Sequence, residues 1–229
     1  MKFRKSTTLV GFKPLSGEVL HGRAGGKVKL REKKLADVRN DYRWQSDPEL
    51  TRLDAAPMLT MPFSVYLLDY AAEIHRPKLN KYPLAVETLD GRHIGNCTCY
   101  DIDEKKGEAQ LGILIGDRDY WDKGYGADTV NTMVDHVFQT TGLHRLYLKT
   151  LDRNLRAQKC FQKCGFKPCG YLNRNGHNFL LMELKREQWE KQHNKSRGKV
   201  LEGRSPSSKF FPLSCPSMKD LARRGGHRG

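Results

Sequence analysis

The feature that most constrains this chain is the run QLGILI at residues 110–115, which leads through a glycine-bearing turn into an amphipathic stretch over 128–138. The run lacks the polar alternation of a half-buried strand, so it reads as a strand covered on both faces. The turn carries Gly124 and Gly126 immediately before the helical stretch. Glycines there let several backbone N–H groups converge, and the helix N-terminus adds partial positive charge. The segment therefore suits an anion such as a pyrophosphate. Two glycines in a turn are by themselves only a turn; the flanking strand and helix give the anion reading its weight.

Around this segment the apolar period switches between two and 3.6 in a regular order. Residues 27–30 alternate as a short strand. Leu35, Val38, Tyr42 and Leu50 share one face of a helical segment that Pro48 interrupts. Pro62, followed by Phe63, Tyr66, Leu67, Tyr70, Ala71 and Ile74, marks a second amphipathic helix. Residues 84–88 and 94–101 read as strands joined by an Asp90-Gly91 turn. Residues 145–151 form a further strand, 156–163 a helix, and 169–172 with 178–184 a closing antiparallel pair. The order is strand, two helices, three strands, helix, strand, helix, two strands.

A chain of 229 residues has room for one domain with a full core. No apolar run approaches the ~18 residues that span a bilayer, and the basic start MKFRK is not followed by an apolar signal stretch. The expectation is a cytoplasmic protein without membrane contact. The net charge of +15 sits in the ends: +8 within residues 1–34, +7 within 194–229, and zero between them. A folded nucleic-acid-reading face is not expected; the basic ends allow only weak, salt-dependent, sequence-blind contact with RNA or a ribosome. The expected organisation is a weakly ordered basic extension over 1–26, one domain over 27–193, and a basic disordered tail over 194–229, too poor in apolar residues to fold. HGRAGGK at 21–27 fails as a phosphate loop, having His21 where glycine is needed and Val28 where Ser or Thr is needed. The six cysteines, at 97, 99, 160, 164, 169 and 215, include no C-x-x-C pair. No metal site is expected, and the thiols read as small hydrophobes.

WDKGYG at 121–126 resembles the acyl-CoA loop of the GNAT superfamily, whose general form is Arg/Gln-x-x-Gly-x-Gly/Ala. Trp121 in the first position is similar to the branch containing the RimJ/RimL-type ribosomal-protein N-terminal acetyltransferases. NLRAQKCFQKCGF at 154–166 is similar to the family's Asn-x-x-Ala/Ser … Gly-Phe signature. The resemblance spans roughly residues 28–187, and the element order matches. It implies an α+β GNAT fold, with a mixed, mostly antiparallel sheet of six to seven strands, about four helices, and one splayed strand pair for acyl-CoA. It also implies an N-acetyltransferase with acetyl-CoA as acyl donor. The acceptor would be a primary amine, on a protein N-terminus or a small molecule, attacking directly in a ternary complex. On this reading the backbone N–H groups of Trp121, Asp122, Lys123, Gly124, Tyr125, Gly126 and Ala127 hold the pyrophosphate. The backbone of Ile113, Leu114 and Ile115 pairs with the pantetheine arm and polarises the thioester carbonyl. Asn154, Ala157 and Phe161 line the opposite side of the cofactor.

Two positions depart from the family's pattern. Phe161 stands where many members carry a tyrosine as general acid. Ala109-Gln110-Leu111-Gly112 stands where RimJ/RimL-like sequences often have Ala-Glu-x-Gly, and Gln110 cannot take a proton. By strand alternation Glu108 is the nearest substitute and the one catalytic candidate. Trp44, Arg43 and Asp47 fall in the region that borders the acceptor cleft in this family. His93, His136 and His144 are isolated from one another and read as surface or core histidines. Two rivals stand beside the leading reading: a non-catalytic CoA-binding module tethered by its basic ends, and a small-molecule acetyltransferase acting on an aminoglycoside or polyamine. Asp37, Asp41, Asp47 and Glu49 interleave with Arg39, Arg43 and Arg52, so charge does not choose the acceptor.

Overall fold

The computed structural model describes residues 19–23, 25–76 and 80–202, with the backbone alone over 195–202. Expectations for residues 1–18 and 203–229 lie outside the described residues. The strands are β1 (Leu20–His21), β2 (Val28–Glu32), β3 (Lys81–Thr88), β4 (His93–Asp103), β5 (Glu108–Ile115), β6 (Arg145–Leu151), β7 (Lys167–Arg174) and β8 (His177–Lys185). They form one sheet in the order β1-β2-β3-β4-β5-β6-β8-β7. The pair β5–β6 is parallel and the others are antiparallel. The helices are α1 (Val38–Gln45), α2 (Pro48–Asp54), α3 (Phe63–His75), α4 (Tyr125–Thr140), α5 (Leu155–Lys163) and α6 (Arg186–Glu202). This is the GNAT architecture that the sequence implies, with more strands and helices than the six or seven and four it suggests.

The additions have local causes. Pro48 starts a helix rather than only interrupting one. The Asp47 carboxylate accepts from the Glu49 and Leu50 amides at 2.9 and 3.0 Å, and Pro48 fills the first helical position, where its missing N–H costs nothing. Strand β1 lies inside the segment expected to be weakly ordered. Leu20 pairs with Leu30, Arg23 bridges to Asp135 at 2.7 Å, and Asp128 accepts the Lys27 and Val28 amides at 2.6 and 3.0 Å. Helix α6 opens with Arg186, whose guanidinium donates to the carbonyls of Thr141 at 2.8 Å and Leu143 at 2.9 Å beyond α4.

The main core lies between the sheet and α4 and α5, where Val86, Leu111, Met133, Val137, Leu146 and Met182 are buried. A smaller cluster joins α1 to α3 through Val38, Tyr66 and Tyr70. Trp44 of α1 is buried against His93 and Gly116 and does not line the cavity between β5 and β6. It is 3% exposed, stacks edge-on to His93 with centroids 4.8 Å apart, and lies so close over Gly116 that a Cβ there would collide with the indole. His93 is buried, its Nε2 lying 2.9 Å from the Gly95 carbonyl.

Strand β5 differs from the expectation in the way that matters most. Only Ala109, Gln110 and Leu111 are buried; Gly112 through Ile115 are half-buried. Its partner on one side, β4, pairs along its length to Gly95 opposite Ile115. On the other side, β6 pairs only where Glu108, Ala109 and Gln110 face Arg145, Leu146 and Tyr147. Beyond Gln110 the two parallel strands separate, and the apolar run borders an opening.

Candidate active site

The opening between β5 and β6 is a cavity of about 710 Å³. Its floor is Leu111 to Ile115, its near wall the loop before α4, and its far wall α5. Eleven of the fourteen residues predicted as site residues line it: Ile113, Leu114, Ile115, Trp121, Asp122, Gly124, Gly126, Ala127, Asn154, Ala157 and Phe161. Lys123 and Tyr125 do not. The Lys123 carbonyl accepts from Lys27 Nζ at 2.8 Å, and the Tyr125 ring packs edge-on against Tyr120 at 4.8 Å.

Helix α4 begins at Tyr125, three residues before the predicted start, because Gly124 adopts φ 87° and turns the chain into it. Asp122, at φ 56°, is a second left-handed residue in the same loop. The Asp128 amide bonds to the Gly124 carbonyl at 3.0 Å and closes the first helical turn. The amides of Tyr125, Gly126 and Ala127 are thereby the orphan donors of a helix start, aimed along its axis. The Trp121 amide is not available in this way, since it donates to the Arg118 carbonyl at 3.0 Å.

Trp121 is built into the wall rather than left as a clamp. Its indole N–H donates to the Ile115 carbonyl at 2.6 Å, and its ring has the Arg156 guanidinium at 3.5 Å and that of Arg118 at 5.6 Å from its centroid. The Ile115 carbonyl is therefore satisfied by protein, and a ligand pairing with β5 is left with Ile113 and Leu114. Asn154 caps α5, its Oδ1 accepting from the Ala157 amide at 3.2 Å while its Nδ2 reaches the Leu53 carbonyl at 3.4 Å. Arg156, Lys159 and Lys163 bring three cations from α5 to the cavity. Orphan amides on one wall and cations on the other fit a polyanionic donor such as acetyl-CoA.

Glu108 is placed elsewhere. It sits at the closed end of the β5–β6 pair, outside the cavity lining, with Oε2 2.6 Å from Arg145 Nη1. Alternation puts it on the same side as Gln110, but the strands are still paired at that point. Glu108→Gln is expected to change kcat by no more than about twofold in steady-state kinetics, because no reacting atom is within its reach.

The residue that sequence reasoning missed is Asp54, the last residue of α2. It lines the cavity together with Tyr100 of β4 and Lys149 of β6. Asp54 is an exposed residue whose side chain opens onto the cavity. The protein packed behind it desolvates the carboxyl and raises it to about 6, opposed by the charge of Lys149. The Tyr100 ring lies over Gly112, where a Cβ would be 3.1 Å from it, and its hydroxyl takes the Gln110 amide at 2.5 Å. Burial, then the charge of Asp54, hold the Tyr100 phenol well above its usual range.

The fold and this cavity define an acyl-CoA-type transferase domain. A family profile described as an acetyltransferase (GNAT) domain matches residues 27–167, and the chain belongs to that family. A protein called uncharacterized N-acetyltransferase p20, from Bacillus licheniformis, is 25% identical over 148 residues, covering 64% of this chain and 82% of that protein. The spermine/spermidine N(1)-acetyltransferase of Bacillus subtilis is 31% identical over 85 residues, 37% of this chain and 56% of that enzyme. Among solved structures, spermidine N-acetyltransferase from Vibrio cholerae in complex with CoA and spermine superposes with a TM-score of 0.63 at 20% identity, covering 71% and 98% of the two chains. Aminoglycoside acetyltransferase AAC(6')-Ib in complex with coenzyme A does so with a TM-score of 0.61 at 19% identity, covering 72% and 99%. Among the described residues no helix is long and apolar enough to cross a membrane.

Proposed function

We propose that this chain transfers the acetyl group of acetyl-CoA to the primary amine of a small acceptor. The observation that carries the reading is the cavity between β5 and β6, with the N-terminus of α4 at one wall and three α5 cations at the other. Tyr125, Gly126 and Ala127 supply amides to the diphosphate, Arg156, Lys159 and Lys163 supply charge, and Ile113 and Leu114 supply the strand edge. Holding donor and acceptor together in one cleft provides most of the acceleration in such a transfer.

The names of the similar proteins favour a polyamine or aminoglycoside as acceptor. A second reading, transfer to a protein N-terminus as in the RimJ/RimL-type branch, rests on Trp121 in the loop. A cytoplasmic setting fits cysteines that stay unpaired at 97, 99, 160, 164 and 169. The test is calorimetric titration with acetyl-CoA, followed by thiol release with spermidine, an aminoglycoside and N-terminal peptides. Saturable binding and turnover with one class are expected. No detectable binding at millimolar acetyl-CoA defeats the reading, and acetyl-CoA held but never consumed by any amine favours the binding module.

A further inference from the structure

The acids of the α1–α2 segment and of β5 differ in one respect. Asp47 and Glu49 share Arg118 at 2.8 and 2.9 Å, Asp41 holds Lys33 at 2.7 Å, and Glu108 holds Arg145 at 2.6 Å. Asp54 makes no hydrogen bond or ion pair among the described residues, although it lies at a built position. The chain turns sharply just after it, at Ala55 with φ 51°, and the neighbouring Leu53 carbonyl is tied to Asn154 of α5. Among the described residues two carboxylates line the cavity, and Asp122 lies in the glycine-bearing loop before α4. That leaves Asp54 as the one carboxylate facing the space beside Tyr100 and Gly112, where an amine would approach the β5 edge.

Resting on the function proposed above, we infer that Asp54 is the proton acceptor of the transfer, receiving the ammonium group of the acceptor and taking one proton from it. The step balances. The ammonium passes a proton to the carboxylate and becomes a neutral amine. The amine lone pair then forms the C–N bond as the C–S bond breaks, the nitrogen gives up its second proton through water to the departing thiolate, and the proton held by Asp54 returns to solvent after the product leaves. Its place on the cavity wall, exposed and without a protein partner among the described residues, suits Asp54 to this task, and a base titrating near the working pH combines availability with driving force. Among the described residues the other titratable or charged groups lining the cavity are Lys149 on β6, Tyr100 on β4, Tyr120 and Asp122 in the loop before α4, Arg174 and His177 at the β7–β8 turn, and Cys160 with the three cations on α5. Of these, Lys149 acts on the Asp54 charge and favours its ionised form.

The test reads Asp54 directly as well as through turnover. Carbon-detected NMR titration of carboxyl-labelled protein, with Asp54→Asn assigning the resonance, is expected to give a midpoint of about 6. A midpoint in the ordinary carboxylate range overturns the inference whether or not an acceptor has been found. With an accepted amine, the wild-type rate should fall as pH drops through that midpoint, because protonated Asp54 cannot take a second proton. Asp54→Asn should lower kcat about 100- to 10,000-fold and remove that acid limb. Acetyl-CoA affinity should stay unchanged, and Asp54→Glu should restore part of the rate. An Asn variant with wild-type kcat and an intact acid limb overturns the inference while leaving the proposed function standing. Absence of acetyl-CoA binding to the wild type removes both.

Discussion

Gly126→Val is expected to weaken acetyl-CoA binding by roughly 100-fold or more, about 2.7 kcal/mol, while leaving the sheet folded. Gly126 is the second residue of α4, and a Cβ built on it would sit 3.4 Å from Cys160 Sγ and 3.8 Å from Ile115 Cγ1. Alanine therefore fits in ordinary contact, but the two methyls of valine would have to enter the space through which a diphosphate reaches the Gly126 and Ala127 amides. Gly124 acts differently. At φ 87° it holds a left-handed conformation with only Lys27 Nζ, at 3.9 Å, near a Cβ. A side chain there meets backbone strain of about 1–2 kcal/mol rather than a filled site. Calorimetry beside thermal melting separates the two. Gly124→Ala should lower the melting temperature more than the affinity, and Gly126→Val the affinity more than the melting temperature. Wild-type affinity in Gly126→Val would place the diphosphate elsewhere.

The cavity wall was legible because its elements are local in the chain. A strand, a glycine turn and a helix start follow one another within residues 110–128, and Asn154 caps the helix it precedes. What escaped the sequence depends on partners far away. Two residues cannot display a period, so β1 is visible only once Leu20 meets Leu30. Helix α6 is polar along most of its length and is anchored by Arg186 to carbonyls more than forty residues earlier and by Trp189 to Asp135. Glu108 shows the limit of alternation, which assigns a strand face but not the point where two strands part. Asp54 shows the converse. Nothing in PELTRLD marks its last carboxylate, and its character arises because α2 packs on β6 and brings it to Lys149 without a partner. Trp44 looked like a substrate-side residue until Gly116 allowed it to lie against the chain beyond β5.

Asp41→Ala should cost about 3–5 kcal/mol of stability, since it removes one partner from a buried ion pair and strands the others. Asp41 is fully buried in α1. Its carboxylate takes Lys33 Nζ at 2.7 Å, the Tyr70 hydroxyl at 2.8 Å and Asn96 Nδ2 at 2.6 Å, so one side chain joins α1 to α3, to β4 and to the segment after β2. Burial, then the charge of Asp41, keep the Tyr70 phenol well above its usual range and hence a donor. With alanine, a largely buried ammonium, a phenol and an amide all lose their acceptor at once, a large part of the ~5–15 kcal/mol that a domain has to lose. Asp41→Asn should cost less, because its one oxygen can still accept from Tyr70 and Lys33, and what it gives up is the charge and the second acceptor, which takes the Asn96 amide. Urea unfolding of the two variants measures the difference. The cavity lining on β5, α4 and α5 does not include Asp41, whereas the α1–α2 segment carries Asp54. Below its unfolding transition Asp41→Ala should therefore still bind acetyl-CoA but turn over more slowly, as loosened α1 lets the proton acceptor drift from the amine.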